Sequence, residues 1–309
     1  MGVNYLDNRA KIYASSDFGD EPFHSLLREE TTVQAVSETP VHKKAKPVFR
    51  AVIQATYKEN FAFRSNMAVS LIVQPIYFLV QYFIWRAVFQ VHDTVSGFTF
   101  QTMLYYFAVS SLLGFLNWDD TDGTLQRLVQ NGKFITFQLR PIHHLYYAFF
   151  QKVGHRILAF WIEMVPIIGF YLLFGIKPIP AMPLWAIISV ALSFILAFLI
   201  NHTIGTMAFW LVKTDGIRRA VLVFKDICSG IFVPLTLFPG GIQKVLFFLP
   251  FQFISYVPAR VFMGSYELAG FTLSIPAIVG LQALMVLITY LLNRLVWFFG
   301  IKRFTGVGA

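Results

Sequence analysis

Two uncharged runs set the strongest constraint on this chain. "AVSLIVQPIYFLVQYFIW" from Ala68 and "PLWAIISVALSFILAFLI" from Pro183 each hold 18 residues without an acid or a base. About 18 such residues suffice to cross a bilayer core as a helix. In hydrocarbon the backbone must pair within its own segment, so helices are the economical solution. Composition agrees over the whole length: of 309 residues, 56% are hydrophobic and only 13% charged. Soluble domains carry about 25% charged residues. The chain reads as an all-α polytopic membrane protein. Its one cysteine, Cys228, rules out an internal disulfide.

Hydropathy and charge divide the chain. Residues 1–47 are polar, with 6 Lys+Arg and 7 Asp+Glu and no apolar run, and read as a cytosolic tail, disordered or a docking arm. Residues 48–66 alternate Val48, Val52 and Ala55 with Arg50, Lys58 and Arg64, which predicts an amphipathic helix in the membrane interface. Residues 67–303 form the membrane domain, and 304–309 a short tail. Six spans are expected: Ala68–Gln90, Phe98–Leu116, Leu145–Phe174, Leu184–Leu211, Arg219–Leu235 and Ile275–Phe299. With both termini inside, 21 of the 25 Lys+Arg fall on the inner side. Only Arg86, Lys177, Lys244 and Arg260 fall outside, so the charge asymmetry orients the chain. The same asymmetry accounts for the net charge of +9 without nucleic acid as a partner.

Two segments depart from simple spans. Ile231–Phe271 is apolar but cut by Pro234, Pro239, Pro250 and Pro258. Its pieces Gly241–Leu249 and Phe251–Met263 are too short to cross, so a re-entrant helical hairpin before the last span is expected. An ordinary fifth span with an outer loop is the other reading. The second segment is "DGTLQRLVQNGKFITFQLRP", Asp122 to Pro141. Leu125, Leu128 and Val129 recur at helical spacing, with Asp122 as N-cap and Gly132 just past the end. This predicts a short amphipathic helix over Gly123–Asn131. Its apolar side fits either the protein's own spans or a groove on another protein. Pro141 is placed to open the next helix.

Polar groups inside the spans are the remaining candidates. Glu163 stands among apolar residues, and an acid at that depth is a functional candidate, for a cationic substrate or for pairing with another helix. Asn201 and His202 either line the path or hydrogen-bond between helices. Lys225 and Asp226 read as a local pair near the inner interface. His143 and His144 point roughly 100° apart on a helix, which does not make a ligand pair. No metal spacing and no catalytic cluster are seen, and "NGKF" at Asn131–Phe134 lacks the first glycine and the Ser or Thr of a phosphate-binding loop.

These features together resemble one family. Six spans, an interfacial amino-terminal helix, a short cytosolic helix between spans two and three, and a re-entrant pair before the last span are similar to type-2 ATP-binding-cassette exporter permeases. The phrases Gly132-Lys133-Phe134 to Leu139-Arg140-Pro141 and "VPLTLFPGGIQKVLFFLPF", Val233 to Phe251, resemble the ABC-2 family transporter branch that includes viologen exporters. The resemblance implies a non-enzymatic permease subunit in a bacterial plasma membrane. It would move a hydrophobic or amphiphilic substrate outward by alternating access. It would bind no cofactor itself, ATP and Mg sitting on a separate ABC ATPase subunit, and would pair with a second permease subunit, identical or a sister. It implies coupling to the ATPase at Leu125, Arg127, Leu128, Val129, Gly132 and Arg140. Glu163, Asn201 and His202 are the candidates for the substrate path. An ion-driven secondary transporter and a membrane-embedded lipid or glycan enzyme are the other classes the residues leave open.

Overall fold

The computed structural model describes residues 48–304 apart from 63, 141 and 212–214. The 1–47 tail, residues 305–309 and Pro141 lie outside the described residues. Helix α1 spans Val48–Ala62, α2 Arg64–Val88, α3 Phe100–Asn117, α4 Thr121–Gln130, α5 Phe134–Gln138 and α6 His144–Ala159. A π-helical turn, Phe160–Met164, joins α6 to α7, Val165–Leu173. Then come α8 Pro183–Thr206, α9 Asp215–Ser229, α10 Gly240–Phe248, α11 Tyr256–Met263, a two-stranded hairpin and α12 Ile275–Ile301. The strands β1 Tyr266–Leu268 and β2 Phe271–Leu273 pair antiparallel, Glu267 opposite Thr272.

Among the described residues four helices are long and apolar enough to cross a membrane: Leu71–Val88, His144–Leu173, Pro183–Phe209 and Ile275–Ile301. The other two expected spans differ for separate reasons. Helix α3 has 18 residues but lies inside the bundle, with Met103, Tyr106, Ala108 and Ser110 inaccessible. A helix wrapped by other helices tolerates polar residues when they find partners. Ser111 bonds the Tyr171 hydroxyl, and Asn117 Nδ2 donates to Ser193 Oγ at 2.6 Å. Helix α9 runs from Asp215 rather than Arg219 and stops at Ser229. Its 15 residues extend about 22 Å, short of a bilayer core of about 30 Å.

The π turn has a local cause. Pro166 lacks the N–H that would bond the carbonyl four residues back, and Val165 N–H instead reaches Phe160 O, five residues back. Around the proline-cut stretch, α10, a tight turn at Pro250–Phe253 and α11 make up the segment expected as a helical hairpin. Its tip exposes carbonyls that need donors. Gln282 Nε2 donates to Phe253 O at 3.0 Å, while Asn117 Nδ2 and Ser193 Oγ reach Ile254 O at 3.0 and 2.6 Å. Ser193 lies ten residues into α8, about 15 Å along its axis from Pro183. The main core gathers here, joining α3, α8, the hairpin and the first turns of α12 through Tyr106, Leu196, Phe253, Val257 and Ile278. Helix α1 packs along α6, with Thr56 buried.

Candidate functional site

The segment between α3 and α6 builds a small platform at one end of the bundle. Helix α4 begins at Thr121, two residues before the expected start, with Asp120 rather than Asp122 at the N-cap position. It ends as the sequence predicts: Gly132 follows with φ +66°, a left-handed conformation that favours glycine. Leu125 is fully buried. It packs in a cluster with Phe134, Phe137, Phe209 and Trp297, and Leu128 and Val129 lean on the same cluster. The apolar face of α4 is therefore turned towards the protein's own α5, α8 end and α12. Helices α4 and α8 approach so closely that a Cβ on Gly205 would stand 2.8 Å from Asp122 Cα.

The outward side of the platform is different. Arg127 is exposed and ion-paired with Asp120. On α5 and just past it, Ile135 is 43% and Leu139 83% exposed, among exposed Lys133, Thr136, Gln138 and Arg140. Arg140 folds back over the Phe137 and Tyr147 rings at 5.2 and 5.1 Å. Ile135 and Leu139 were missed by the sequence reading. Their signal was present as an apolar pair at i, i+4 spacing between two bases.

Ion pairs tie this platform to α6 and α9. Lys152 meets Asp119 at 2.9 Å with both side chains buried, and also donates to Asn117 O at 3.2 Å. Arg218, at the start of α9, meets Asp122 at 2.6 Å. Burial raises the Asp122 pKa above the usual carboxylate value, and the Arg218 guanidinium opposes that shift. On α9 itself Lys225 Nζ lies 3.5 Å from Asp226 Oδ1, the local pair read from the sequence, and donates to Asn201 Oδ1 at 3.1 Å.

Lys225 and Asn201 border a cavity of about 410 Å³ between α2, α3, α8, α9 and the hairpin tip. Gln74, Tyr77, Asn117, Asp226 and Ser255 also line it, with Trp118 and Asp119 towards the platform. Asn117 Oδ1, Gln74 Oε1 and Ser255 Oγ have no hydrogen-bond partner among the described residues. Such acceptors on the wall of a cavity favour a ligand or water that donates. Gln74 and Asn117 were visible in the sequence only as polar residues in apolar runs.

The three sequence candidates for the path separate. Asn201 lies on this cavity. His202, fully buried, turns to another side of α8, where its Nε2 is 3.2 Å from His144 Nδ1 and Asn293 Nδ2 donates to its Nδ1 at 2.9 Å. Glu163 is buried within the π turn, where its charge acts on Arg156, and does not line the 410 Å³ cavity. His144 is also interior, stacked on Trp297. His143 caps α6, its Nδ1 accepting from Leu145 N–H at 3.2 Å. Among the described residues no group of three or more His, Cys, Asp or Glu is placed to hold a metal ion.

No curated protein and no solved structure matches the chain. The profile of the ABC-2 family transporter proteins matches residues 76–308, a stretch that takes in α3 to α12, the platform and nearly all of the cavity wall. The match is to the family and not to a branch within it. With its long apolar helices, the chain belongs to the ABC-2 family transporter proteins and is a multi-pass membrane permease component of an ABC transporter.

Proposed function

We propose that the protein is the permease subunit of an exporter driven by a separate ATPase, with the platform as its docking face and the Lys225–Asn201 cavity as part of the substrate path. The observation that carries this reading is the Asp122–Arg218 pair at 2.6 Å. It links the platform to α9, and α9 carries Lys225 and Asp226 on the cavity wall. A push on α4 is transmitted to Arg218 and moves that wall. The Lys152–Asp119 pair holds the other side of the cavity floor to α6.

The docking contacts fall to the outward side of the platform: Arg127, Lys133, Ile135, Leu139 and Arg140. Leu125, Leu128 and Val129 stiffen it from behind, so that a force applied at Leu139 reaches α8 and α12 without being lost in a loose loop. Gly132 sets the turn between α4 and α5. In this reading the platform and both termini are cytosolic, as the 21 bases on that side favour. The chain crosses six times, with α3 inside the bundle and α9 completing its passage through the turns after Ser229. The α10–α11 hairpin is re-entrant from outside, supported by the side-chain donors at its tip. A second permease copy faces the open side of α2 and α9, where Ile72, Val73, Ile76, Val223 and Phe224 are more than half exposed.

The test is capture of the partner ATPase by purified permease. Replacing Ile135 and Leu139 together with Asp is expected to abolish capture while melting stays unchanged. Normal capture by that variant removes the docking face from the proposal.

A further inference from the structure

A second and larger cavity lies away from the substrate path. It is a groove of about 810 Å³ between α6 with its π turn and α8. Val153, Ile157 and Trp161 form one wall, and Ile187, Ala191 and Phe194 the other. Trp161 and Ile187 are 68% and 69% exposed. Its volume lies within the roughly 300–1,000 Å³ usual for bound small molecules. One charged side chain breaks the apolar lining, Arg156.

Arg156 is only 7% exposed, and its Nε has no hydrogen-bond partner among the described residues. Its Nη1 donates to Phe115 O at 2.5 Å, two residues before the end of α3. Its guanidinium lies 4.9 Å from the ring of Trp118, itself 58% exposed. An exposed Trp over a base at the end of a membrane helix marks headgroup depth. From there the groove runs along α8 from Phe194 to Ile187, about 10 Å of apolar wall. A buried base at headgroup level and an apolar slot leading away from it match an acidic lipid, head at the base and chain in the slot.

We propose that this groove is a binding site for an anionic phospholipid. Its phosphate pairs with Arg156, and one acyl chain lies between Ile157 and Trp161 on one side and Ile187 and Ala191 on the other. The orientation proposed above puts Arg156 at the cytosolic end of the groove and Ile187 about 6 Å from the outer end of α8; the site itself does not depend on that orientation. The lipid fills the gap between α6 and α8 and braces Arg156, one turn from the Lys152–Asp119 pair.

The full-length protein, purified and offered equal amounts of phosphatidylglycerol and phosphatidylcholine, is examined by native mass spectrometry. Retention of phosphatidylglycerol about five-fold over phosphatidylcholine is expected from one base. Arg156→Gln is expected to erase the preference. Ala191→Phe, which adds bulk to the open groove and leaves Arg156 in place, is expected to lose the retained lipid of either kind at unchanged melting. Ala191→Phe alone decides the matter if Arg156→Gln does not fold. Equal retention of both lipids by the unaltered protein overturns the site, as does undiminished retention by Ala191→Phe. Dimers cross-linked through Ile187→Cys also overturn it, because a second copy then fills the groove. None of these readouts involves the ATPase or transport, so the site and the exporter reading fail independently.

Discussion

Asp122 Oδ2 and Arg218 Nη1 lie 2.6 Å apart, and this pair joins α4 to α9 two turns before Lys225. Its two halves are unequal. The Asp122 side chain is 2% exposed and the Arg218 side chain 19%, and Arg218 also reaches Asp120 at 3.9 Å. Removing Arg218 strands a buried carboxylate, whereas removing the Asp122 charge leaves Arg218 a second acid. Arg218→Met is therefore expected to cost roughly 3 kcal/mol. Asp122→Asn should cost clearly less. Denaturation of both variants checks the order, and an equal or larger loss in Asp122→Asn contradicts it.

Leu125 and Leu139 should behave as opposites. Leu125 fills the space between Phe134, Phe209 and Trp297, so Leu125→Ala should destabilise the isolated permease by about 2–5 kcal/mol. Leu139→Asp touches an exposed position and should change stability by less than about 0.5 kcal/mol. Thermal melting without any partner separates the two. Similar losses at both positions would mean that Leu139 is covered by this chain.

The proposed topology is checked by single cysteines in a Cys228→Ser background. Lys244→Cys and Ser265→Cys should both react in intact cells with an impermeant reagent, being exposed at the two ends of the re-entrant hairpin. Thr136→Cys should react only after permeabilisation. Reaction of Lys244→Cys and Ser265→Cys from opposite sides would make the hairpin a true crossing.

His143 predicts a pH dependence. Burial, aided by Arg294, holds its pKa below the ordinary 6.5. The folded state then binds a proton less readily than the unfolded chain. The contribution of His143 is complete above about pH 6.5 and declines as pH falls through its lowered folded value. His143→Asn keeps a capping side chain without the titration. The difference in melting temperature between the two proteins should shift in favour of His143→Asn from pH 7 to pH 5. A constant difference excludes His143 as its source.

The membrane class, the presence of α2, α6–α7, α8 and α12 as long apolar helices, and the end of α4 at Gly132 were legible because each rests on local pattern: an uncharged run, or a glycine after an amphipathic turn. Which way α4 faces was not. Leu125, Leu128 and Val129 make the same stripe whether they meet Trp297 or another protein, and only the partner supplied from 172 residues downstream settles it. The cavity was hidden for the same reason. Gln74, Asn117, Asn201 and Lys225 lie on four helices, and their convergence belongs to the packing. The length of α9 also misled, because the apolar residues after Ser229 extend the run in sequence while Gly230, at φ +80°, ends the helix.

In the proposed cycle, ATP binding on the partner moves the platform and, through Asp122–Arg218, reopens the cavity to the other side of the membrane. The most direct measurement is the labelling rate of Asp226→Cys, in a Cys228→Ser background, in the reconstituted complex with impermeant thiol reagent on one side at a time. Without nucleotide, reaction is expected from the platform side. With ATP and Mg trapped on the partner, protection there and reaction from the opposite side are expected, and no such switch when Arg218 is replaced by Met. Labelling that is indifferent to nucleotide, from either side, would contradict the proposed cycle.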